Sequence, residues 1–193
     1  MRALEEKIRN EGSAIGTEIV KVDGFLNHQL DVAFMDEMGA AFAEIFREKR
    51  PNKILTVEAS GIAIAVAASR SLGYLPVVFA KKAAPNTMTE EFYAAEARSF
   101  TKGTVSLLRA SKKYLGPEDR LLILDDFLAH GEAGAALCEI AKEAGAEVVG
   151  FGAAVEKYFQ GGRKKLEALG VEVHSLAVIE KIVDGQITFR EDC

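Results

Sequence analysis

The sequence predicts an α/β fold with a mostly parallel central sheet. Apolar runs of strand length alternate with helical patterns from about residue 33 to residue 179. Runs such as 53–57 are apolar enough to be buried strands, as expected when helices cover both faces of a sheet. The chain has 193 residues, 49% hydrophobic and 27% charged, and is expected to form one compact domain.

The elements follow from the apolar spacing and from the turn residues. For the first half we predict a helix (1–10), one or two short strands (14–25), an amphipathic helix (31–49), a strand (53–57), a turn (58–61), a helix (62–72) and a strand (76–80). For the second half we predict strands at 104–110, 121–124, 147–155 and 171–179, helices at 133–144 and 163–169, and a terminal hairpin (182–189) that turns at Asp184-Gly185.

The stretch 81–103 differs from its surroundings. It is polar, it is interrupted by Pro85-Asn86, and it shows no clear core face. So long a connection suits a lid or a binding element, and it suits a partly disordered loop equally well. Because ligands of open α/β sheets bind at the carboxyl ends of the strands, we expect the loops 58–61, 81–103 and 125–133 to share one location.

Composition excludes several classes of function. A net charge of −5 and a pI of about 5.4 argue against nucleic acid as a partner, and we interpret the short basic clusters, such as 163–165, as solvated faces. Two cysteines, one of them terminal, make a structural disulfide improbable. Neither a membrane span nor a signal peptide is evident, so a cytoplasmic protein without a membrane partner is expected.

The pair Asp125-Asp126 is the first candidate site. Two adjacent carboxylates at a strand end repel each other and are costly unless something binds there. Ribose 2′- and 3′-hydroxyls are suitable donors to them. A metal ion and a plain helix N-cap remain alternatives.

The segment Ala129-His130-Gly131-Glu132-Ala133 is a phosphate candidate. Gly131 permits close approach of the backbone, and the N–H groups at a helix start have no intrahelical acceptor. Glu132 places an anion near the expected phosphate, or it simply stabilises the helix dipole.

The turn Glu58-Ala59-Ser60-Gly61 repeats this strand–turn–helix arrangement. It is either a second phosphate cradle or an ordinary turn. Lys81 can reach an anionic ligand, and Lys157 either points into the site or caps a strand end. No zinc signature and no pairing of a nucleophile with histidine is evident.

Several motifs together resemble a known family. Asp125 to Gly131 is similar to the phosphoribosyl pyrophosphate motif of type I phosphoribosyltransferases. The segments 21–29, 57–63, 77–82, 99–102 and 155–160 resemble, in order, the bacterial, Bacillus-type xanthine phosphoribosyltransferases. The resemblance runs from about residue 1 to residue 190.

The resemblance implies a type I phosphoribosyltransferase fold, 1–193, with a core (31–155) under a small hood (1–30 and 156–193). It implies transfer of a 5-phosphoribosyl group from phosphoribosyl pyrophosphate (PRPP) to N9 of xanthine, in a cytoplasmic homodimer of purine salvage. Magnesium travels with PRPP, without a direct protein ligand. The implied alternatives are guanine or hypoxanthine as the base, or a PRPP-binding transcription regulator. For the regulator, the acidic charge and the roughly 30 residues before the first core helix are unfavourable.

The resemblance also implies residue roles. Val20, Asn27 and Lys157 hold the base, and Asp125 and Asp126 hold the ribose diol. The segment 129–133 holds the 5′-phosphate and 59–61 holds the pyrophosphate, and we count Lys81 among the PRPP-binding residues because it can reach an anionic ligand. We expect Asn27 to donate a hydrogen bond to the oxo group that distinguishes xanthine from hypoxanthine. Three positions depart from the family pattern, namely His130 (usually Asn), Glu132 (usually Gln or Thr-like) and Val20 (usually Leu), and the Glu132 carboxylate is expected to weaken phosphate binding.

Overall fold

The computed structural model of the protein describes residues 1–82, 91–99 and 104–190. The helices are α1 (Arg2–Glu11), α2 (Val32–Phe46), α3 (Ser60–Ser71), α4 (Glu132–Glu143) and α5 (Gly162–Glu167). The strands are β1 (Ser13–Ile15), β2 (Ile19–Lys21), β3 (Lys53–Val57), β4 (Val77–Ala80), β5 (Phe92–Ser99), β6 (Thr104–Ser111), β7 (Arg120–Leu128), β8 (Glu147–Lys157), β9 (Val173–Val183) and β10 (Gln186–Phe189). No helix in this part of the chain is both long and apolar enough to cross a bilayer.

The central sheet has the strand order β10-β9-β8-β7-β3-β4. All of its pairs are parallel except the antiparallel pair of β9 with β10, so the predicted fold class is confirmed. The terminal hairpin is also confirmed, and it turns at Asp184 and Gly185, both of which have positive φ. A parallel sheet of this kind brings the carboxyl ends of β3, β4, β7 and β8 to the same edge.

Helices, together with the paired strands β5 and β6, cover the two faces of the central sheet. Along β7, Leu122 and Leu124 join the apolar cluster beneath α1, α2 and α3, whereas Leu121 and Ile123 join the cluster beneath α4 and α5. Each such buried side chain stabilises the fold by about 1.5–3 kcal/mol before the entropy cost is subtracted. Burial on both faces explains why β7 reads as an unbroken apolar run.

The prediction that 81–103 lacks a core face was wrong for 92–99. These residues form β5, which pairs antiparallel with β6 in register Ala95 with Leu108. Ala95 and Ala97 are buried in the apolar cluster that includes α4. The alternation of Ala95 and Ala97 with Glu96 and Arg98 was a strand signal, but it is weak because alanine carries little hydrophobicity. The remaining parts of the stretch, 83–90 and 100–103, lie outside the described residues.

The predicted strand ends were too early. β7 continues to Leu128, so Asp125 and Asp126 lie inside the strand and not in a loop. The parallel ladder to β8 explains this, because it continues through Asp125 and Ala153 to Leu128 and Glu156. The helices α3 and α4 begin slightly earlier than predicted, at Ser60 and Glu132. The sequence pattern of β7 alone contains no information about β8, whose ladder extends β7 beyond its predicted end.

Candidate active site at the carboxyl edge of the sheet

Three of the predicted loops meet at one edge of the sheet. The backbone N–H of Glu58, after β3, donates to the carbonyl of Ala80 at the end of β4 (3.1 Å). The Glu58 carboxylate accepts from the N–H of Lys82 (2.6 Å). A Cβ built on Gly61 would overlap Thr56 Oγ1 and lie 3.2 Å from Asp125 Oδ1. The predicted shared location is therefore confirmed for 58–61, 81–82 and 125, and only glycine fits at position 61.

Asp125 is a buried carboxyl group. Only 4% of the residue is exposed, and burial, together with the neighbouring charge of Asp126, raises the pKa of Asp125 well above its usual value. The N–H of Asp126 donates to Asp125 Oδ1 (2.9 Å). Successive side chains of a strand leave on opposite faces, so Asp126 turns away from Asp125 and is only half-buried. The two acids therefore have different surroundings: Asp125 lines a cavity described below, and Asp126 accepts a hydrogen bond from Asn27.

Asn27 joins three parts of the site. Its Nδ2 donates to Asp126 Oδ2 (2.5 Å) and contacts Ser60 Oγ (3.2 Å). Its Oδ1 is buried, and within the described residues it has no hydrogen-bond partner. The short π-helical turn at Asp23–Asn27 carries this side chain, anchored by the buried Phe25 and Leu26. Both N–H groups of Nδ2 are directed at protein acceptors, so donation to a base requires Asn27 to exchange partners.

Lys157 and Val20 lie where the end of β8 meets the N-terminal β1–β2 hairpin. Lys157, the last residue of β8, donates from Nζ to the carbonyl oxygen of Glu18 (3.0 Å), in the turn of the β1–β2 hairpin. Burial lowers the pKa of this lysine. Val20, in β2, is half-buried and packs against the core cluster. The strand end and the hairpin are thus held together by one ammonium group, and the role of both residues towards a base stays a prediction.

The phosphate loop, which we define as 129–133, surrounds a cavity with Asp125. The cavity measures about 170 Å³, and its lining consists of Arg98, Asp125, Phe127 to Gly134 and Phe151. Gly131 has φ 78° and caps the N-terminus of α4, where backbone N–H groups without intrahelical acceptors can hold an anion. His130 places Nδ1 3.2 Å from the carbonyl oxygen of Gln160. Asp125 and the phosphate loop therefore border one cavity.

The Glu132 carboxylate has a cationic partner. Lys165 of α5 forms a hydrogen-bonded ion pair with it. The negative charge near the phosphate loop is therefore compensated locally. The positive charge of Lys165 therefore offsets the loss of phosphate affinity that was expected from the Glu132 carboxylate.

Sequence reasoning missed two arginines. Arg163, which we interpreted as part of a solvated face, forms an ion pair with the buried Glu156 (2.6 Å). That interpretation was wrong because neither Arg163 nor Glu156 carries a local signal in the sequence that the two side chains pair in the fold. Arg98 lines the cavity of the phosphate loop. Its alternation with Glu96 in a strand pattern was the available signal.

Comparison with known proteins agrees with this geometry. Residues 28–184 match the model of the phosphoribosyl transferase domain. A xanthine phosphoribosyltransferase of Laribacter hongkongensis is 49% identical over 189 residues, covering 98% of this chain and 100% of the relative. Xanthine phosphoribosyltransferase 1 of Clostridium perfringens is 47% identical over 190 residues, again covering 98% and 100%.

Solved structures share the fold. The adenine phosphoribosyltransferase of Rhodothermus marinus aligns with a TM-score of 0.73 at 22% identity, covering 93% of this chain and 100% of the other. The adenine phosphoribosyltransferase of Trypanosoma brucei, in complex with AMP, pyrophosphate and ribose-5-phosphate, aligns with a TM-score of 0.75 at 16% identity, covering 91% and 78%. The fold is therefore the type I phosphoribosyltransferase fold. By its domain and by its near-full-length similarity, the chain belongs to the phosphoribosyltransferase family, among the xanthine phosphoribosyltransferases.

Proposed function

We propose that this protein transfers the 5-phosphoribosyl group of PRPP to N9 of xanthine, giving xanthosine 5′-monophosphate (XMP) and diphosphate, in purine salvage. One observation carries the proposal. The buried end of β7 places Asp125 and the phosphate loop around a single cavity, with Asp126 beside it. A ribose phosphate needs this combination, since its hydroxyls donate to carboxylates and its phosphate accepts from N–H groups. The activity named for relatives at 47–49% identity supports the choice of base.

The roles of the two acids follow from their surroundings. Asp126 is half-buried and accepts hydrogen bonds readily, so we assign it to the ribose hydroxyls. Asp125 has a raised pKa and retains a proton more readily, so it can donate to or accept from the sugar without adding a full negative charge. In this proposal both acids lie beside the ribose ring, where positive charge develops as the bond from C1 to diphosphate breaks. The anionic Asp126 stabilises that charge.

The leaving group is assigned to the turn after β3. Backbone N–H groups of Ala59, Ser60 and Gly61 at the start of α3, with the ammonium group of Lys81, are suited to a diphosphate. Glu58 holds the N–H of Lys82, which keeps the β4 end beside this turn. We propose that this turn holds the diphosphate while the C1 bond breaks and the purine N9 takes its place.

Base recognition is assigned to Val20, Asn27 and Lys157. A lysine cation suits the electron-rich oxo edge of xanthine, and the half-buried Val20 offers apolar contact with the ring. Asn27 already contacts Asp126, so base binding and sugar binding are joined at one side chain. A buried polar match of this kind gives a discrimination of up to about 10⁴-fold against a base that lacks the group.

Magnesium fits this site as a companion of the substrate. Among the residues that the structure describes, no group of three or more His, Cys, Asp or Glu side chains converges as a metal cage. Mg²⁺ commonly fills its shell with substrate phosphates and water, so PRPP can carry the ion into the site without a direct protein ligand. When bound with PRPP, the metal neutralises charge on the departing diphosphate.

We further propose that the segments 1–30 and 156–193 act together as a hood over the core 31–155. Contacts between the two segments support this division. Lys157 reaches Glu18, the N-terminal amino group donates to the carbonyl of Leu176, and Arg9 lies 4.7 Å from the ring centre of Phe189. A cytoplasmic location is proposed with the salvage role.

We propose a homodimer as the working assembly. A groove of about 440 Å³ between α2 and α3 exposes apolar side chains that include Val32 and Val66, beside the turn at Ala59. The ion pair of Asp36 with Arg70 (2.8 Å) borders this groove, and a twofold copy can exchange its two partners. Val66→Glu is expected to shift the sedimentation coefficient to that of a monomer, whereas the matched control Val183→Glu leaves it unchanged. Equal sedimentation of both variants and the parent would contradict this assignment.

A panel of bases tests the reaction. We expect turnover with PRPP and Mg²⁺ to be fastest with xanthine, slower with guanine and hypoxanthine, and absent with adenine. Loss of turnover on removal of Mg²⁺ tests the metal. The conservative variant Asp126→Asn should abolish most of the activity while leaving the far-UV spectrum intact. Equal use of all four bases, or retention of DNA with no turnover of any base, would overturn the proposal.

A further inference from the structure

The phosphate loop rests on a neighbouring segment. We call residues 158–165 the buttress segment, which comprises the short helical turn Tyr158–Gln160 and the start of α5. The N–H of Gly162 donates to the carbonyl of Ala129 (3.0 Å), and the carbonyl of Gln160 faces His130 Nδ1 (3.2 Å). Lys165 pairs with Glu132. Contacts at Ala129, His130 and Glu132 therefore fix the loop from one side along most of its length.

Two glycines make the contact close. A Cβ built on Gly162 would overlap the carbonyl oxygen of Ala129 and lie 2.8 Å from the backbone nitrogen of Gly131. A Cβ on Gly131 would lie 3.0 Å from the carbonyl oxygen of Gly162, and its φ of 78° already favours glycine. The two backbones therefore touch without side chains between them. A displacement of the buttress segment must be transmitted to the loop because no intervening side chain can absorb it.

A buried ion pair holds the buttress segment in place. Arg163 donates from Nε and Nη2 to the two oxygens of Glu156 (2.9 and 2.6 Å), and from Nη1 to the carbonyl of Val173 (2.7 Å). Ser175 Oγ donates to Glu156 Oε2 (2.6 Å). Glu156 is 1% exposed and is paired in the sheet with Leu128, the residue directly before the phosphate loop.

We propose that Arg163 and Glu156 are positioning residues for the 5′-phosphate site, acting through Gly162 on the phosphate loop. The inference rests on the proposed function. A bidentate guanidinium–carboxylate contact fixes angle as well as distance, which a simple ammonium contact does not. Neither Arg163 nor Glu156 is assigned a contact with the substrate.

We expect substitutions of Arg163 and Glu156 to weaken only the binding of the 5′-phosphate group. XMP and xanthosine differ only in the 5′-phosphate, so the ratio of their dissociation constants isolates that subsite. We expect Arg163→Met and Glu156→Gln to weaken XMP about 10- to 100-fold, as misplacement of a binding group by about 1 Å does, and to change xanthosine binding by much less. The KM for PRPP should rise in parallel, and the KM for xanthine should stay close to that of the parent. Arg163→Lys should restore little, because it lacks the planar fork.

A second pair of variants guards against misfolding. Breaking a buried ion pair on one side is often strongly destabilising, so Arg163→Met has to be compared with Gly162→Ala, which disturbs the contact and leaves the pair intact. Gly116→Ala is the matched control, since a Cβ there meets nothing within 4 Å. Gly162→Ala is expected to reproduce the selective loss of XMP affinity, and Gly116→Ala is expected to bind like the parent.

The outcomes separate the inference from the function on which it rests. A parent protein that binds XMP no better than xanthosine contradicts the proposed function. A parent that prefers XMP, with Gly162→Ala and the folded Arg163 and Glu156 variants keeping the same preference, overturns the positioning role. A selective loss of XMP affinity in folded variants supports it.

Discussion

The side-chain amide of Asn27 donates to the carboxylate of Asp126 across 2.5 Å. This contact links the candidate base residue to the candidate ribose residue. Removal of Asn27 therefore has two effects, because Asp126 loses a donor in addition to any loss at the base. A test of base recognition has to separate the two.

Asn27→Ala is expected to lower turnover of xanthine far more than turnover of hypoxanthine, by up to about 10⁴-fold in relative kcat/KM. The reason is that only xanthine carries the second oxo group that Asn27 is predicted to bind. Ser60→Ala serves as a control, since it removes the neighbouring contact of Asn27 at 3.2 Å without altering the amide. Equal losses with both bases would show that Asn27 acts only through Asp126.

Asp125→Asn is expected to stabilise the protein at neutral pH while it abolishes most of the activity. Burial raises the pKa of Asp125, so the folded state retains a proton that the unfolded chain releases near pH ~4. The associated stability is complete below the unfolded pKa and is lost as pH rises through the folded pKa. Asparagine mimics the neutral form at every pH.

Urea unfolding between pH 4 and pH 8 measures this effect. The free energy of unfolding of Asp125→Asn should exceed that of the parent at pH 7, and the difference should shrink towards pH 4. If the difference in the free energy of unfolding is the same across this pH range, folding does not raise the pKa of Asp125.

Lys165→Met is expected to raise the KM for PRPP, by about fivefold or less because the pair is partly exposed. Without the lysine, the Glu132 carboxylate is left uncompensated beside the phosphate loop. The double variant Lys165→Met/Glu132→Gln should recover the parent value. Steady-state kinetics at low and high salt provide the measurement, and a double variant that is as impaired as the single one would refute charge compensation.

Arg98→Ala is expected to raise the KM for PRPP by about tenfold, the scale of one hydrogen bond to a charged group. The residue lines the same cavity as Asp125 and the phosphate loop, and within the described ranges its guanidinium forms no ion pair. Arg98→Lys retains the charge and should lose less. Unchanged kinetics in Arg98→Ala would remove this residue from the site.

Local pattern predicted the backbone framework well. The strand at 53–57 has its predicted bounds, and Asp125 and Gly131 line one cavity, while their roles towards a substrate stay predictions. These features are encoded within a few neighbouring residues. Of the paired strands β5 and β6 only β6 was predicted, because the core contacts of β5 are made by alanines.

The supporting contacts were beyond sequence reasoning. Glu156 and Arg163 resemble surface charges in the sequence, and their burial depends on Ser175 and Val173 of another strand. The ion pair of Lys165 with Glu132, 33 positions away, is likewise evident only from the structure. Tertiary partners of single charged side chains leave no periodic signal, so candidate residues such as Asp125 and Gly131 could be selected from the sequence, whereas the contacts of Glu156 and Arg163 could not.

The alanines of β5 have a practical consequence. Ala95 and Ala97 pack in the apolar cluster that includes α4, and their side chains are single methyl groups. The same strand carries Arg98, which lines the cavity of the phosphate loop. Side-chain volume at these two positions thus sets how closely β5 packs on the apolar cluster that includes α4. Bulkier residues there are expected to displace the strand together with Arg98, which offers a way to engineer the lining of that cavity.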